Sequence, residues 1–250
     1  MEKRWRFRAI FETEKNMNDL KISIKKELKV FYGFVYRRFF FNPKIEKKFI
    51  DEFHKFYFYS RVIGNTKWMG INVLKIPLDL WIYQEIIYET KPDVIIECGT
   101  GWGGTTLFLA NICDYLKHGK IISIDIVPYE RPKHQRIKYL LGPSTSDNII
   151  RNVEKLINKG SRVMVILDSD HRKEYVLKEI KVFSKFVTKG NYLIVEDTNV
   201  NGHPVSDDHG PGPYEAVSEF LKRNRKFQID KSREKFYISQ NPNGYLLKMN

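Results

Sequence analysis

Residues 94–106, VIIECGTGWGGTT, constrain the fold more tightly than any other stretch of this chain. An apolar run of strand length enters a turn in which Gly99, Gly101 and Gly104 hold GxGxxG spacing, and Thr105 and Thr106 open a helical stretch. Glycine is required where a chain turns sharply and a ligand must approach its backbone, because a Cβ blocks both. The surrounding sequence continues the alternation: helices over 77–90, 105–116, 149–159 and 173–187, and strands over 93–97, 120–125, 162–167 and 192–195. Short β-rich runs separated by helix-length segments predict an α/β, Rossmann-like fold, a mostly parallel sheet with helices on both faces. The tail departs from this pattern. Residues 235–239 and 244–248 flank QNPN, which predicts an antiparallel C-terminal hairpin with the last strand at the sheet edge.

A nucleotide-like ligand fits the glycine turn, and Asp125 ends the next strand, where a carboxylate can accept both hydroxyls of a ribose. Two ligands share this geometry: a dinucleotide, whose pyrophosphate would sit on the helix N-terminus, and S-adenosylmethionine, which carries an ammonium and a sulfonium. Glu97 separates them, since a carboxylate repels a pyrophosphate and attracts an aminoacyl ammonium or its ordered water. A Glu97 that only steadies the glycine loop is the competing reading. With the hairpin tail, the pattern favours adenosylmethionine, with Glu97, Gly99, Thr100, Gly101, Gly104, Thr105 and Asp125 as candidate cofactor-binding residues.

Two later strands also end in acids. Asp168, Ser169, Asp170 and His171 follow the strand over 162–167, and Glu196 and Asp197 follow that over 192–195. In a parallel sheet these carboxyl ends share one rim. Carboxylates gathered there repel unless they are protonated, hydrogen-bonded or share a cation, and oxygen donors of this kind suit Mg²⁺ or another hard divalent ion. Helix N-capping by Asp170 and Asp197 is the alternative. His171 is the first candidate for a general base and Asp170 the second; a structural role for His171 stands beside it. The turn-rich segment NGHPVSDDHGPGPY, 201–214, predicts a lid, in which His203 and His209 could contact metal or substrate but read more simply as exposed loop histidines.

Charge divides the chain differently. The first 60 residues hold 15 Lys and Arg against 8 Asp and Glu, and 16 of the 35 aromatics. This predicts two parts, a basic, aromatic-rich helical extension over 1–60 and a catalytic domain over 61–250. Within the extension, an amphipathic helix is expected over about 20–36, and the run 31–41, FYGFVYRRFFF, holds seven aromatics. Such a segment suits either packing on a second subunit or the main domain, or contact with an anionic membrane surface. The net charge of +13 favours an anionic partner of some kind. The basic residues concentrate outside the glycine turn and acidic rim, which argues against nucleic acid. Two cysteines, Cys98 and Cys113, exclude a disulfide scaffold, and no apolar run approaches the roughly 18 to 20 residues of a membrane span. The expected location is cytoplasmic, with peripheral contact to the inner face of the membrane as a variant.

The run WMGINVLKIPLDLWIYQEIIYETKPDVIIECGTGWGGTTLF, with ILDSDH, YLIVEDTNVNG, GPYEAVSEFL and NPNGYL in order, resembles the cephalosporin hydroxylase and rhamnosyl O-methyltransferase family over about 68–247. The resemblance implies a class I methyltransferase fold with a seven-stranded sheet, a divalent ion on Asp168, Glu196 and Asp197, and methyl transfer from adenosylmethionine to a hydroxyl, often on a sugar or glycan. The hydroxylase name does not carry over, because no iron-binding His/carboxylate triad stands out. An RNA or other nucleic-acid methyltransferase and a non-catalytic partner subunit that retains the fold are the competing functions. Residues 1–60 fall outside the matching motifs.

Overall fold

The computed structural model describes residues 21–36 and 43–250. The chain divides into two compact units, one ending at Asp51 and one running Glu52–Asn250. In the first, residues 21–36 are helical (α1), and their apolar side chains, Ile22, Leu28, Phe31 and Phe34 among them, are exposed. The aromatic run over 31–41 lies partly outside the described residues. Helix α2, Pro43–Tyr59, crosses the division. Its last turns belong to the second unit: Asn199 Nδ2 lies 3.1 Å from the buried His54 Nε2, and Tyr59 Oη accepts from Ser206 N at 3.0 Å.

After α2 comes a two-stranded ladder, β1 (Lys67–Trp68) and β2 (Ile71–Asn72). There follow α3 (Pro77–Thr90), β3 (Val94–Cys98), α4 (Gly104–Tyr115), β4 (Lys120–Asp125), β5 (Ile137–Leu141), α5 (Asp147–Leu156), β6 (Val163–Leu167), α6 (Lys173–Phe183), β7 (Tyr192–Val195), α7 (Pro213–Arg223), β8 (Phe227–Ile229) and β9 (Tyr245–Lys248). Seven strands form the main sheet in the order β5-β4-β3-β6-β7-β9-β8, parallel from β5 to β7, with β9 antiparallel to both of its neighbours.

Strand alternation builds two cores. Ile96, Val165 and Val195 face α5, α6 and α7, packing with Val153, Ile180, Phe183 and Val217, whereas Ile95, Ile166 and Ile194 face α3 and α4, packing with Tyr83, Ile86 and Leu109. A strand whose two faces are both covered needs apolar residues at every position, which is why VIIEC and VMVIL read as continuous runs.

The tail differs from its expected form. Residues 235–239 form no strand, and β9 pairs instead with β8, which lies at the edge; β9 itself is inserted between β7 and β8. The cause is a buried carboxylate. Asp79 on α3 accepts from Ser239 Oγ at 2.6 Å, Gln240 N at 2.8 Å and Tyr245 Oη at 2.8 Å, so the groups of 239–240 bond to a helix rather than to a ladder.

Candidate active site

Strand register assembles the site. Cys98 pairs with Ile124 on one side and Leu167 on the other, and Leu167 pairs with Val195, so Asp125 at the end of β4 and Gly99, Asp168 and Glu196, one step past β3, β6 and β7, lie along a single row. The chain runs outward from β3 to β4 and β5, then returns to β6 on the opposite side, and the crevice falls at this reversal. A cavity of about 890 Å³ opens there, lined by Gly99, Thr100, Gly101, Gly104, Thr105, Asp125, Asp168, Asp170, His171 and Asp197, with Trp102 and Tyr175.

The glycines have distinct reasons. A Cβ on Gly99 would lie 1.7 Å from the carbonyl oxygen of Asp168, and one on Gly104 would lie 2.1 Å from that of Asn72. Gly101 has open space but a φ of +51. Asp125 ties the turn from below: its Oδ2 accepts from Thr100 N at 3.0 Å and Gly101 N at 2.8 Å, and its Oδ1 accepts from Val127 N at 2.9 Å. Glu97 is placed elsewhere. Its carboxylate accepts from Thr106 and Ser123 hydroxyls at 2.5 Å each, it is only 1% exposed, and it is not part of the cavity wall. Burial pushes its pKa up to about 7 against the two hydroxyl donors that lower it.

At the acidic rim one atom each of Asp168, His171 and Asp197 lies within 4.8 Å of the others. His171 Nε2 is 3.0 Å from Asp197 Oδ2 and 3.7 Å from Asp168 Oδ1. Glu196 stands outside that group. It bonds Lys75, whose ammonium also donates to Asp168 Oδ2 at 2.7 Å. No motif in the sequence marks Lys75 as a site residue. No spacing marks a lone lysine 93 residues from its partner; the residue before Ile76 in KIP becomes part of the rim only when α3 docks on the sheet.

Burial would discharge the Lys75 ammonium, but Asp168, Glu196 and Asp197 outweigh it and raise its pKa. Burial and the charge of Asp168 hold the Glu196 carboxyl well above its ordinary range. For His171 burial lowers and the aspartates raise, with a net pKa of about 9. It is therefore a cation at neutral pH for as long as nothing else neutralises the two aspartates. Asp170 lines the cavity, but its carboxylate accepts from Arg172 Nε at 3.0 Å and Arg172 N at 2.9 Å and is held below the usual carboxylate range. It is thus a weaker proton acceptor than a free carboxylate. Neither aspartate caps a helix: α6 begins after Arg172, and Asp197 sits at φ +52 in a turn that no helix follows. In the loop expected to form a lid, His209 reaches the cavity wall, while His203 stacks on Tyr214 and bonds Glu215 Oε1 at 2.9 Å. Residues 202–210 form turns rather than regular structure.

A sheet of this order, with a glycine turn and an acidic rim meeting at its reversal, has the Rossmann-like class I methyltransferase fold, and its family membership makes the chain an adenosylmethionine-dependent O-methyltransferase. It belongs to the rhamnosyl O-methyltransferase/CmcI family, whose pattern matches residues 60–249. A rhamnosyl O-methyltransferase of Mycobacterium leprae (strain TN) is 38% identical over 205 residues, covering 79% of this chain and 90% of that protein. One from Mycobacterium tuberculosis (strain ATCC 25618 / H37Rv) is 36% identical over 207 residues, covering 79% and 84%. Two solved structures of CmcI share the fold: an apo form with 18% identity and an Mg-SAM form with 20%, both at a TM-score of 0.59 over 75% of this chain and 77% and 78% of CmcI.

Proposed function

We propose that this chain transfers the methyl group of S-adenosylmethionine to a hydroxyl of a rhamnose-like sugar, free or within a glycan or glycolipid, with Mg²⁺ or another hard divalent ion held by Asp168, Glu196 and Asp197. The observation that carries this reading is a single cavity whose wall contains both the glycine turn and the aspartate pair with His171. The names of the mycobacterial relatives support the sugar, and the Mg-SAM form of CmcI supports cofactor and ion.

The donor set fits a hard divalent ion. All three groups are carboxylates, and Glu196 Oε1, though outside the Asp168–His171–Asp197 group, is buried with no hydrogen-bond partner. When bound, the ion supplies Lewis acidity to the acceptor hydroxyl and the positive charge that His171 otherwise supplies to the aspartates. The chain's own residues do the rest. The Gly99–Gly101 turn admits the cofactor against its backbone, and Asp125 receives the ribose hydroxyls. Transfer is an in-line displacement in which the acceptor oxygen bonds the methyl carbon as the carbon–sulfur bond breaks, leaving a neutral thioether. His171, whose Nε2 donates to the aspartates, would take the hydroxyl proton once an ion rather than its ring neutralises Asp197 and Asp168. Residues 1–60 enter this reading as an association segment, toward a second copy or an anionic membrane surface.

The test is turnover on a panel of rhamnosides and on RNA, with and without chelation. Methylation of a rhamnoside that is abolished by EDTA, while calorimetry still detects adenosylmethionine binding, is the expected result. Full activity after chelation would overturn the ion's role, and methylation of RNA alone would overturn the sugar.

A further inference from the structure

Each of the three rim acids has one oxygen held by a buried Lys75 or Gln240 side chain and a second that neither of them holds. Lys75 Nζ takes Asp168 Oδ2 and Glu196 Oε2. Gln240 Nε2 takes Asp197 Oδ1 at 2.9 Å. The oxygens that remain are Asp168 Oδ1 and Asp197 Oδ2, which both face His171, and Glu196 Oε1, which no protein group satisfies. The two committing side chains are buried, Lys75 to 2% exposure and Gln240 to 6%, so no solvent competes for them.

The two are also joined to one another. Gln240 Oε1 accepts from Ile76 N at 2.8 Å, fixing the residue next to Lys75, and the Lys75 carbonyl accepts from Thr66 Oγ1 at 3.1 Å. Asn241 Oδ1 accepts from the Asp197 N–H at 3.2 Å, holding that residue in its left-handed conformation. Asp79 anchors 239–240 in turn. The clamp therefore runs from α3 through 239–241 to the ends of β6 and β7.

We infer that Lys75 and Gln240 are positioning residues that withhold one oxygen of each rim carboxylate from a bound ion, and so select a small hexacoordinate ion such as Mg²⁺ over Ca²⁺. Ca²⁺ takes 6 to 8 oxygens and commonly chelates carboxylates through both; Mg²⁺ keeps water ligands and needs only one oxygen from each acid. The inference rests on the ion assignment under Proposed function and adds what sets its selectivity.

Calorimetric titration of the full chain, stripped of ions, with Mg²⁺ and separately with Ca²⁺ tests it. Wild-type protein should prefer Mg²⁺. Lys75→Met frees the second oxygen of both Asp168 and Glu196, Gln240→Leu frees that of Asp197, and each should shift the Mg²⁺/Ca²⁺ affinity ratio toward Ca²⁺ by about tenfold, the lower end of what outer-shell partners of metal ligands contribute. Lys75→Arg, which keeps the cation, should restore most of the preference, whereas a merely structural role would leave the ratio unmoved in any variant that folds. Should Lys75→Met fail to fold, Gln240→Leu decides alone. An unchanged ratio in the folded variants, or a wild-type preference for Ca²⁺, overturns the inference while the ion assignment stands. Wild-type protein that binds neither ion overturns both.

Discussion

Glu97 ends β3 with its carboxylate turned to Thr106 and Ser123, and burial has moved its pKa to about 7. A carboxyl whose folded-state pKa lies above its ordinary 4.5 binds protons more tightly when folded. Its unfavourable contribution is absent below about pH 4.5, grows as pH rises, and is complete above about 7, at up to about 3 kcal/mol. Glu179 has the same sign: burial pushes it to about 7 despite hydrogen bonds from Ser144 and Ser169. Replacing Glu97 by Gln removes one titration and keeps an oxygen to accept both hydroxyls. Urea denaturation at several pH values between 5 and 8 should show stability declining less steeply in Glu97→Gln than in wild type. Parallel slopes would mean that Glu97 does not titrate in this range.

At the scale of elements, the β3–α4 turn separates two demands that both select glycine. Gly99 is pressed against the carbonyl of Asp168 at the end of β6, so its absent side chain is a packing requirement between neighbouring strands. A Cβ on Gly101 would meet nothing within 4 Å, and the residue lines the cavity, so its requirement is backbone conformation and ligand access. Gly99→Ala is expected to destabilise the protein by about 1–3 kcal/mol through overpacking. Gly101→Ala should cost about 1 kcal/mol for its positive φ and act chiefly on the dissociation constant of adenosylmethionine. Denaturation and calorimetry on both variants check this. Equal losses of stability would refute the division of roles.

For the whole molecule, the open question is the first unit. Helix α1 exposes Ile24, Leu28 and Phe31, whose spacing of four and three places them on one face, and carries Lys21, Lys25, Lys26 and Lys29 against Glu27. No described helix is long and apolar enough to cross a membrane. Deleting residues up to Asn42 should leave adenosylmethionine binding intact, because the glycine turn, the rim and the 239–241 clamp all lie within Glu52–Asn250. It should reduce association with a second copy or with anionic vesicles. Light scattering and vesicle sedimentation distinguish the two, and a truncated protein that keeps its mass, vesicle binding and activity would refute both.

What the sequence determined by itself is local or periodic. The helix over 77–90 and the strands ending in Asp125 and Val195 stand where apolar runs and punctuating residues place them, because a strand buried on both faces or a helix with one apolar face requires that pattern. β5, with the pattern IKYLL and residues only half buried, is not legible in the sequence: its period is too short and mixed to separate strand from loop. The glycine turn and the acids after β6 and β7 were legible because parallel strands bring their carboxyl ends together whatever lies between them. Tertiary structure alone decided how those acids are used. Lys75 and Gln240 meet the rim across 93 and 43 residues of chain, and Asp79 meets Gln240 across 161, as the contacts Lys75–Asp168, Gln240–Asp197 and Asp79–Gln240 show. A lysine, glutamine or aspartate carries no periodic mark of a distant partner. Burial fixes their roles, since a charged or amide group removed from water is stable only with its hydrogen bonds made, and which groups are removed together is settled by how α3 and the final strand pack on the sheet.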